Sequence, residues 1–154
     1  MGHDTHRLAV GGPLRLGGVE IPHDHHLVGH SDADVLLHAV TDALLGAAAL
    51  GDIGQLYPDT DPAQRNRDSA QILAEVVDQV QQGGYRVVNA DCIVFAERPK
   101  LAAYKQAIQG RLAELLQVSP SAVGVKAKTG EGLGKIGRQQ AIAAQCVALM
   151  GHDG

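Results

Sequence analysis

The chain has no tryptophan, one phenylalanine and three tyrosines, so the flat platforms on which proteins stack nucleic-acid bases are nearly missing. It also lacks an excess of positive charge. Its 13 Lys and Arg stand against 17 Asp and Glu, a net charge of −4, whereas displacing counterions from a polyanion needs a basic face. Nucleic acid is thereby excluded as a partner, while a small phosphorylated ligand, for which a few local cations suffice, is not. Cysteine occurs only at Cys92 and Cys146, without CxxC spacing, which suits buried small-hydrophobe roles in a reducing compartment. No apolar run approaches the roughly 18 residues of a membrane span, and the opening MGHDTHRL has neither signal-peptide nor transit-peptide character. The expectation is a cytoplasmic protein with no membrane partner, built as one domain over residues 1–154, since that length gives one real core and not two.

What the chain does have is histidine in one place. Seven of its eight histidines, His3, His6, His23, His25, His26, His30 and His38, fall within the first 38 residues. Around them, residues 1–10 and 14–21 read as short β-prone runs about the turn GGP, a β-hairpin-like start followed by the polar loop HDHHLVGH. Ser31 and Asp34 have capping-box spacing, and Val35, Ala39, Val40, Ala43, Leu44 and Ala47 recur at helical intervals, so a helix runs from there to near Gly51. Residues 51–68 are rich in Gly, Pro and Asp, a loop of a length that usually serves function. Ser69 is placed as the cap of a second helix that Gly83 and Gly84 stop, and Pro99 as the opening of a third. RVVNADCIVFAE and VGVKAK read as strands, and AIAAQCVALM fits either strand or helix. The alternation implies an α/β or α+β fold with one sheet and helices on one side, of which α+β, a single mixed β-sheet with helices packed on one face, is the expectation. With so few aromatics and no further helices for the other face, another subunit is expected to cover it.

Asp4 and His6 are two apart, which on a strand puts both side chains on one face. His38, early in the first helix, supplies a third donor if that strand lies alongside, with Asp34 or Asp42 on the same stripe to hold its other ring nitrogen. Two histidines and one aspartate make a three-ligand zinc site with a position left open for a substrate oxygen. The plainer reading of the same residues is a decorated terminal strand and a hydrogen-bonded core histidine. HDHH at 23–26 is a rival metal site, or simply a solvated loop. GLGKIG matches GxGxxG formally, but too little chain follows for a dinucleotide-binding unit, and Ile136 and Thr129 break the P-loop pattern. The run remains a flexible glycine-rich segment whose amides could wrap an anion.

The stretch HSDADVLLHAVTDALLGAAALGDIGQLYPDTDP closely resembles the signature of the 2-C-methyl-D-erythritol 2,4-cyclodiphosphate synthase family, and the DxH of Asp4 and His6, ERPKL at 97–101 and KAKTGEGLG followed by Arg138 occur in that family's order. The resemblance implies a homotrimer with active sites between subunits. It implies Zn²⁺ on Asp4, His6 and His38, and a second divalent ion, Mg²⁺ or Mn²⁺, on Glu131. His30 and Ser31 would contact the phosphates, with His30 and Thr129 catalytic in steadying the transition state. Asp52, Ile53, Gly54, Tyr57, Pro58, Asp59, Thr60 and Asp61 would bind the methylerythritol part. Ala96, Pro99, Lys100, Lys128, Thr129, Gly130, Glu131 and Arg138 would receive the cytidine diphosphate. The reaction it implies is intramolecular phosphoryl transfer releasing CMP, in isoprenoid precursor biosynthesis. A zinc-dependent phosphohydrolase, or a zinc-binding trimer without activity, are the competing readings. The chain departs from the family pattern at Ala33, where Gly is usual, and at Lys135, where an aromatic is common.

Overall fold

The computed structural model describes residues 1–58, 60–64 and 66–152. Strands β1 (Gly2–Val10), β2 (Leu14–Leu16), β3 (Val19–Ile21) and β4 (His25–Val28) come first. Helix α1 (Val35–Ala47), the single turn α2 (Ile53–Leu56) and α3 (Ser69–Gln82) follow. Then come β5 (Tyr85–Phe95), α4 (Lys105–Leu116), β6 (Val123–Lys128), the short turn α5 (Gly134–Gly137) and β7 (Ala141–His152). The main sheet has the order β4-β1-β7-β5-β6, antiparallel throughout except for the parallel pair β5 and β6, which α4 connects. It is therefore the mixed sheet of an α+β fold, with Val10 opposite His25 at one end of β1 and Gly2 opposite Cys146 at the other. The run 141–150, open between strand and helix in the sequence, is a strand because both its edges are paired, with β1 and with β5.

The start of the chain is not the hairpin expected about GGP. Gly17 and Gly18 both take positive φ, the two-residue turn that suits a tight hairpin, so Leu14–Leu16 folds onto Val19–Ile21 as a separate two-stranded sheet. Strand β1 pairs instead with β4, which occupies part of the stretch read as a polar loop. Leu14, Leu16 and Ile21 are fully buried, and the Gly17 and Gly18 amides donate to the Asp34 carboxylate at 2.8 and 2.7 Å.

Helix starts also differ from expectation. Asp34, not Ser31, caps α1, accepting from the Leu36 and Leu37 amides, because the Ser31 hydroxyl is turned toward His38. Asp68 caps α3, which leaves Ser69 as its first residue with its hydroxyl free for other work. Pro99 lies in a bend, residues 102–104 form a turn, and α4 begins only at Lys105 with no side-chain cap. The glycine-rich run after β6 is compact: Gly137 N–H donates to Leu133 O at 2.9 Å, and a Cβ on Gly137 would lie 2.2 Å from the Gly132 backbone. Ala33 stands at φ +59, a left-handed conformation that favours glycine, which gives the family's usual residue there its physical reason.

Helix α1 packs on β1 and β7, α3 on α1 and β5, and α4 on β6, so the helices cover one face of the sheet. Val35, Leu36, Val40, Leu44, Leu73, Val76, Val77 and Val80 fill the core between them. Each such side chain stabilises the fold by about 1.5–3 kcal/mol relative to exposure. Cys92 and Cys146 face one another across β5 and β7, both buried and free. The opposite face of the sheet stays open, with Val147 and Leu149 more than half exposed at 55% and 56%. Among the described residues no helix is long and apolar enough to cross a membrane.

Candidate metal centre

Strand β1 lies against α1 closely enough that only glycine fits at position 2: a Cβ there would sit 2.0 Å from Ala39 O and 2.6 Å from Ala43 N. That approach carries Asp4 and His6, on the helix-facing side of β1, up to His38 one turn into α1. Asp4 Oδ2 stands 3.0 Å from His6 Nδ1 and 2.9 Å from His38 Nδ1, and the two rings are 5.1 Å apart. One ligand atom from each residue lies within 4.8 Å of the others. The spacing argument for a converging DxH and helix histidine is thus met by the geometry.

The groups holding His38 are not the carboxylates expected. Asp34 is consumed by the α1 cap and the Gly17–Gly18 turn, where burial pushes its carboxyl up in pKa against the pull of those amides. Asp42 accepts the Ile53 amide at 2.8 Å and is likewise raised, chiefly by burial. His38 Nε2 instead meets Ser69 Oγ at 2.9 Å and Ser31 Oγ at 3.1 Å. The Ser69 hydroxyl donates to Asp32, and its amide donates to the same carboxylate at 3.2 Å. Asp32 and Ser69 are two site residues that sequence reasoning missed. The acidic residue beside Ser31 is their only signal, because a pairing 37 residues apart leaves no local pattern.

This hydrogen-bond order tests whether the residues fit a cation. The Ser69 proton is spent on Asp32, so Ser69 Oγ must accept from His38 Nε2–H, which turns Nδ1 toward Asp4. His6 Nδ1 is buried without any hydrogen bond. Burial alone would raise the Asp4 carboxyl, but the two imidazoles of His38 and His6 beside it outweigh burial and hold the group well below the usual carboxylate range. Three lone-pair-bearing atoms facing a common point are satisfied by a divalent cation, and the donor set of two imidazoles and one carboxylate suits zinc.

A cavity of about 380 Å³ opens on this focus, lined by Asp4, His6, His30, Ser31, His38, Ile53, Gly54 and Tyr57 together with Gln64 and Ile72, which belong to no ligand-binding motif in the sequence. Described residues of the 51–68 stretch are tied to its surroundings. Asn66 N–H donates to His30 O at 2.9 Å, the Tyr57 hydroxyl donates to Glu75 at 3.1 Å, and Arg67 stacks 4.9 Å over the Tyr57 ring while pairing with Glu75. Burial, then the Glu75 carboxylate, push the Tyr57 phenol up in pKa. Asp52 caps α2 through the Gln55 amide, and Asp61 accepts from the Gln64 side chain at 3.1 Å. Asp52, Pro58, Thr60 and Asp61 do not line the cavity, and Asp59 lies outside the described residues.

The expected nucleotide residues gather elsewhere. Ala96, Pro99, Lys100, Lys128 and Thr129, with Leu101 and Lys105, line a second cleft of about 180 Å³ at the carboxyl ends of β5 and β6. No residue lines both cavities. Gly130 N–H donates to Glu97 at 3.1 Å, and the Thr129 hydroxyl donates to Glu131 at 2.6 Å, leaving that carboxylate facing solvent. Arg138 is exposed and lines neither space.

Residues 1–151 match the YgbB family. A 2-C-methyl-D-erythritol 2,4-cyclodiphosphate synthase of Geobacillus kaustophilus is 54% identical over 149 residues, covering 97% of this chain and 94% of the relative. A solved structure of such a synthase in a CDP-bound form superposes with a TM-score of 0.89 at 39% identity, over 97% of both chains. The bifunctional IspDF of Campylobacter jejuni superposes with a TM-score of 0.91 at 43% identity, this chain spanning 41% of that longer one. Since the match runs almost end to end and takes in the converging Asp4, His6 and His38, the chain belongs to the YgbB family, that of the 2-C-methyl-D-erythritol 2,4-cyclodiphosphate synthases.

Proposed function

We infer that the chain, as one catalytic domain over residues 1–154, converts 4-diphosphocytidyl-2-C-methyl-D-erythritol 2-phosphate into 2-C-methyl-D-erythritol 2,4-cyclodiphosphate and CMP, in isoprenoid precursor biosynthesis. The observation that carries this is the convergence of Asp4, His6 and His38 on a cavity, in a chain matched nearly end to end by cyclodiphosphate synthases. In the reaction an oxygen of the 2-phosphate attacks the β-phosphorus of the same molecule, the bond from that phosphorus to the CMP oxygen breaks, and CMP leaves with the electron pair. No protein nucleophile is needed. The work is to fold a polyanion on itself and hold attack in line, which is positioning and charge compensation.

Asp4, His6 and His38 would hold Zn²⁺, and Glu131, a solvent-facing hard oxygen donor, would take Mg²⁺ or Mn²⁺. When bound, the two ions supply Lewis-acid polarisation and offset phosphate repulsion. His30 and Ser31, on the cavity wall, orient the phosphates, and His30 with Thr129 donates hydrogen bonds to oxygens that gain charge in the transition state. Ile53, Gly54 and Tyr57 shape the wall for the methylerythritol part, with Asp52, Pro58, Asp59, Thr60 and Asp61 on the same loop to bind its hydroxyls. Ala96 to Lys100 and Lys128 to Glu131, with Arg138, receive the cytidine diphosphate. Because that cleft and the metal cavity share no lining residue and one sheet face is open, with Val147 and Leu149 exposed on it, we assign a homotrimer in which neighbouring subunits each contribute half a site. The two free cysteines suit a cytoplasmic setting.

Incubation of the metal-replete protein with the cytidyl substrate, with products identified by mass, tests the reading. Equal amounts of CMP and the cyclic diphosphate are expected. An opened, hydrolysed diphosphate would replace it with a phosphohydrolase, and an unchanged substrate with a binding protein. Sedimentation equilibrium at three times the chain mass is expected alongside.

A further inference from the structure

Among the described residues, one other group brings three metal-type donors within 4.8 Å of each other: His23, Asp24 and His25. Sequence alone leaves this stretch between a metal site and a solvated loop. Three backbone ties fix it. The Gly11 amide donates to Asp24 O at 2.8 Å, His26 Nδ1 donates to Gly11 O at 2.6 Å, and His25 opens β4 in register with Val10. Gly12 lies so close behind that a Cβ there would be 1.9 Å from His23 O. The side chains then repeat the arrangement of the catalytic centre. Asp24 Oδ1 stands 2.8 Å from His25 Nδ1 and 3.4 Å from His23 Nδ1, with the rings 5.6 Å apart. In the catalytic centre one oxygen of Asp4 stands 3.0 and 2.9 Å from two Nδ1 atoms, with rings 5.1 Å apart.

We propose that His23, Asp24 and His25 form a further divalent metal site, distinct from both the Asp4, His6 and His38 centre and the hard-ion position at Glu131, that takes a transition ion of the Zn²⁺, Ni²⁺ or Cu²⁺ class. Two imidazoles with a single carboxylate select these ions over Mg²⁺ or Ca²⁺, which prefer all-oxygen cages. The His23 ring is nearly covered, its side chain 14% exposed, while Asp24 is 83% exposed, so the remaining coordination positions face water. The ion therefore exchanges freely and binds more weakly than at the catalytic centre, whose ligands are oriented by Ser69 and Asp32. Among the described residues no side chain comparably braces His23 or His25 from its far ring nitrogen.

Equilibrium dialysis against Zn²⁺, with metal counted per chain, tests this on the full-length protein. Two equivalents are expected for the unmodified chain, one for His38→Ala, one for His25→Ala and none for the double variant, with cyclisation unchanged in His25→Ala. His23→Asn, which keeps a polar side chain of similar reach, should also lose the weaker equivalent. Cu²⁺ bound to His38→Ala should give an electron paramagnetic spectrum with coupling to two nitrogens, reduced to one by His25→Asn. Retention of both equivalents in His25→Ala and His23→Asn overturns the proposal. Failure of the catalytic assignment reads differently, as two equivalents surviving His38→Ala while His25→Ala still loses one.

Discussion

Ser69→Ala isolates the hydrogen bond that orients His38. The hydroxyl stands 2.9 Å from Nε2 and is itself polarised by Asp32, whereas the remaining partner, Ser31 Oγ, lies at 3.1 Å with no such backing. The backbone amide at that position would still reach Asp32, so the start of α3 survives and the loss is confined to the imidazole. Removing an outer partner of a metal-bound histidine costs about 10- to 100-fold in metal affinity. With Ser31 still present, Ser69→Ala should fall near tenfold, about 1.4 kcal/mol, and Ser31→Ala combined with Ser69→Ala should approach a hundredfold, about 2.7 kcal/mol. Competition with a chromogenic chelator, performed in the His25→Ala background so that one site reports, measures this directly. Excess metal should restore most of the turnover of Ser69→Ala, since the chemistry-bearing groups are intact. Affinity within twofold of the parent, with normal folding, would refute the claim that Ser69 governs His38.

Gly2→Ala should displace β1 from α1 by about 1 Å or more, since ordinary carbon contacts need about 3.5 Å and the added Cβ starts 2.0 Å from Ala39 O. Metal sites tolerate only about 0.2 Å, so metal per chain should fall steeply, and unchanged metal content would contradict the packing argument. Asp34→Ala strips a cap and leaves the Gly17 and Gly18 amides unpaired, which should cost about 3–5 kcal/mol in urea unfolding. A loss under about 1 kcal/mol would show that water replaces the carboxylate. In metal-free protein the depressed Asp4 carboxyl favours the folded state above its ordinary range, and that contribution is lost as pH falls through the folded value. Stability curves should therefore steepen toward acid in the parent and flatten in Asp4→Asn, and parallel curves would exclude the His6 and His38 pairing as their source.

The parts of the site that sequence makes legible are those with local spacing. Asp4 and His6 alternate on a strand, and the apolar rhythm of Val35 to Ala47 marks the helix that carries His38. What stays hidden depends on distant partners. Ser69 reads as a cap because Ser is a good one, yet Asp68 takes that position and frees the hydroxyl for His38 and Asp32. The pairing of β1 with β4 and β7 is equally invisible, since the residues around Gly11 to Pro13 have turn chemistry that fits a hairpin. Only the buried demands of Leu14, Leu16 and Ile21, satisfied by their own two-stranded sheet, rule that hairpin out. The split of the expected ligand-binding residues into two cavities does follow chain order, residues up to Ile72 lining one and residues from Ala96 onward the other, but no local spacing shows that the two groups lie apart in space.

The strand order places the carboxyl ends of β1, β5 and β6 along one rim of the sheet, where both cavities open, while the opposite rim holds the Gly83–Gly84 turn, the 117–122 connection and His152 at the end of β7. Those far connections are surface turns remote from either cavity, the kind of location where grafted segments are best accommodated. A protein engineer wishing to attach a reporter or lengthen a loop would work there, and leave the crowded rim alone.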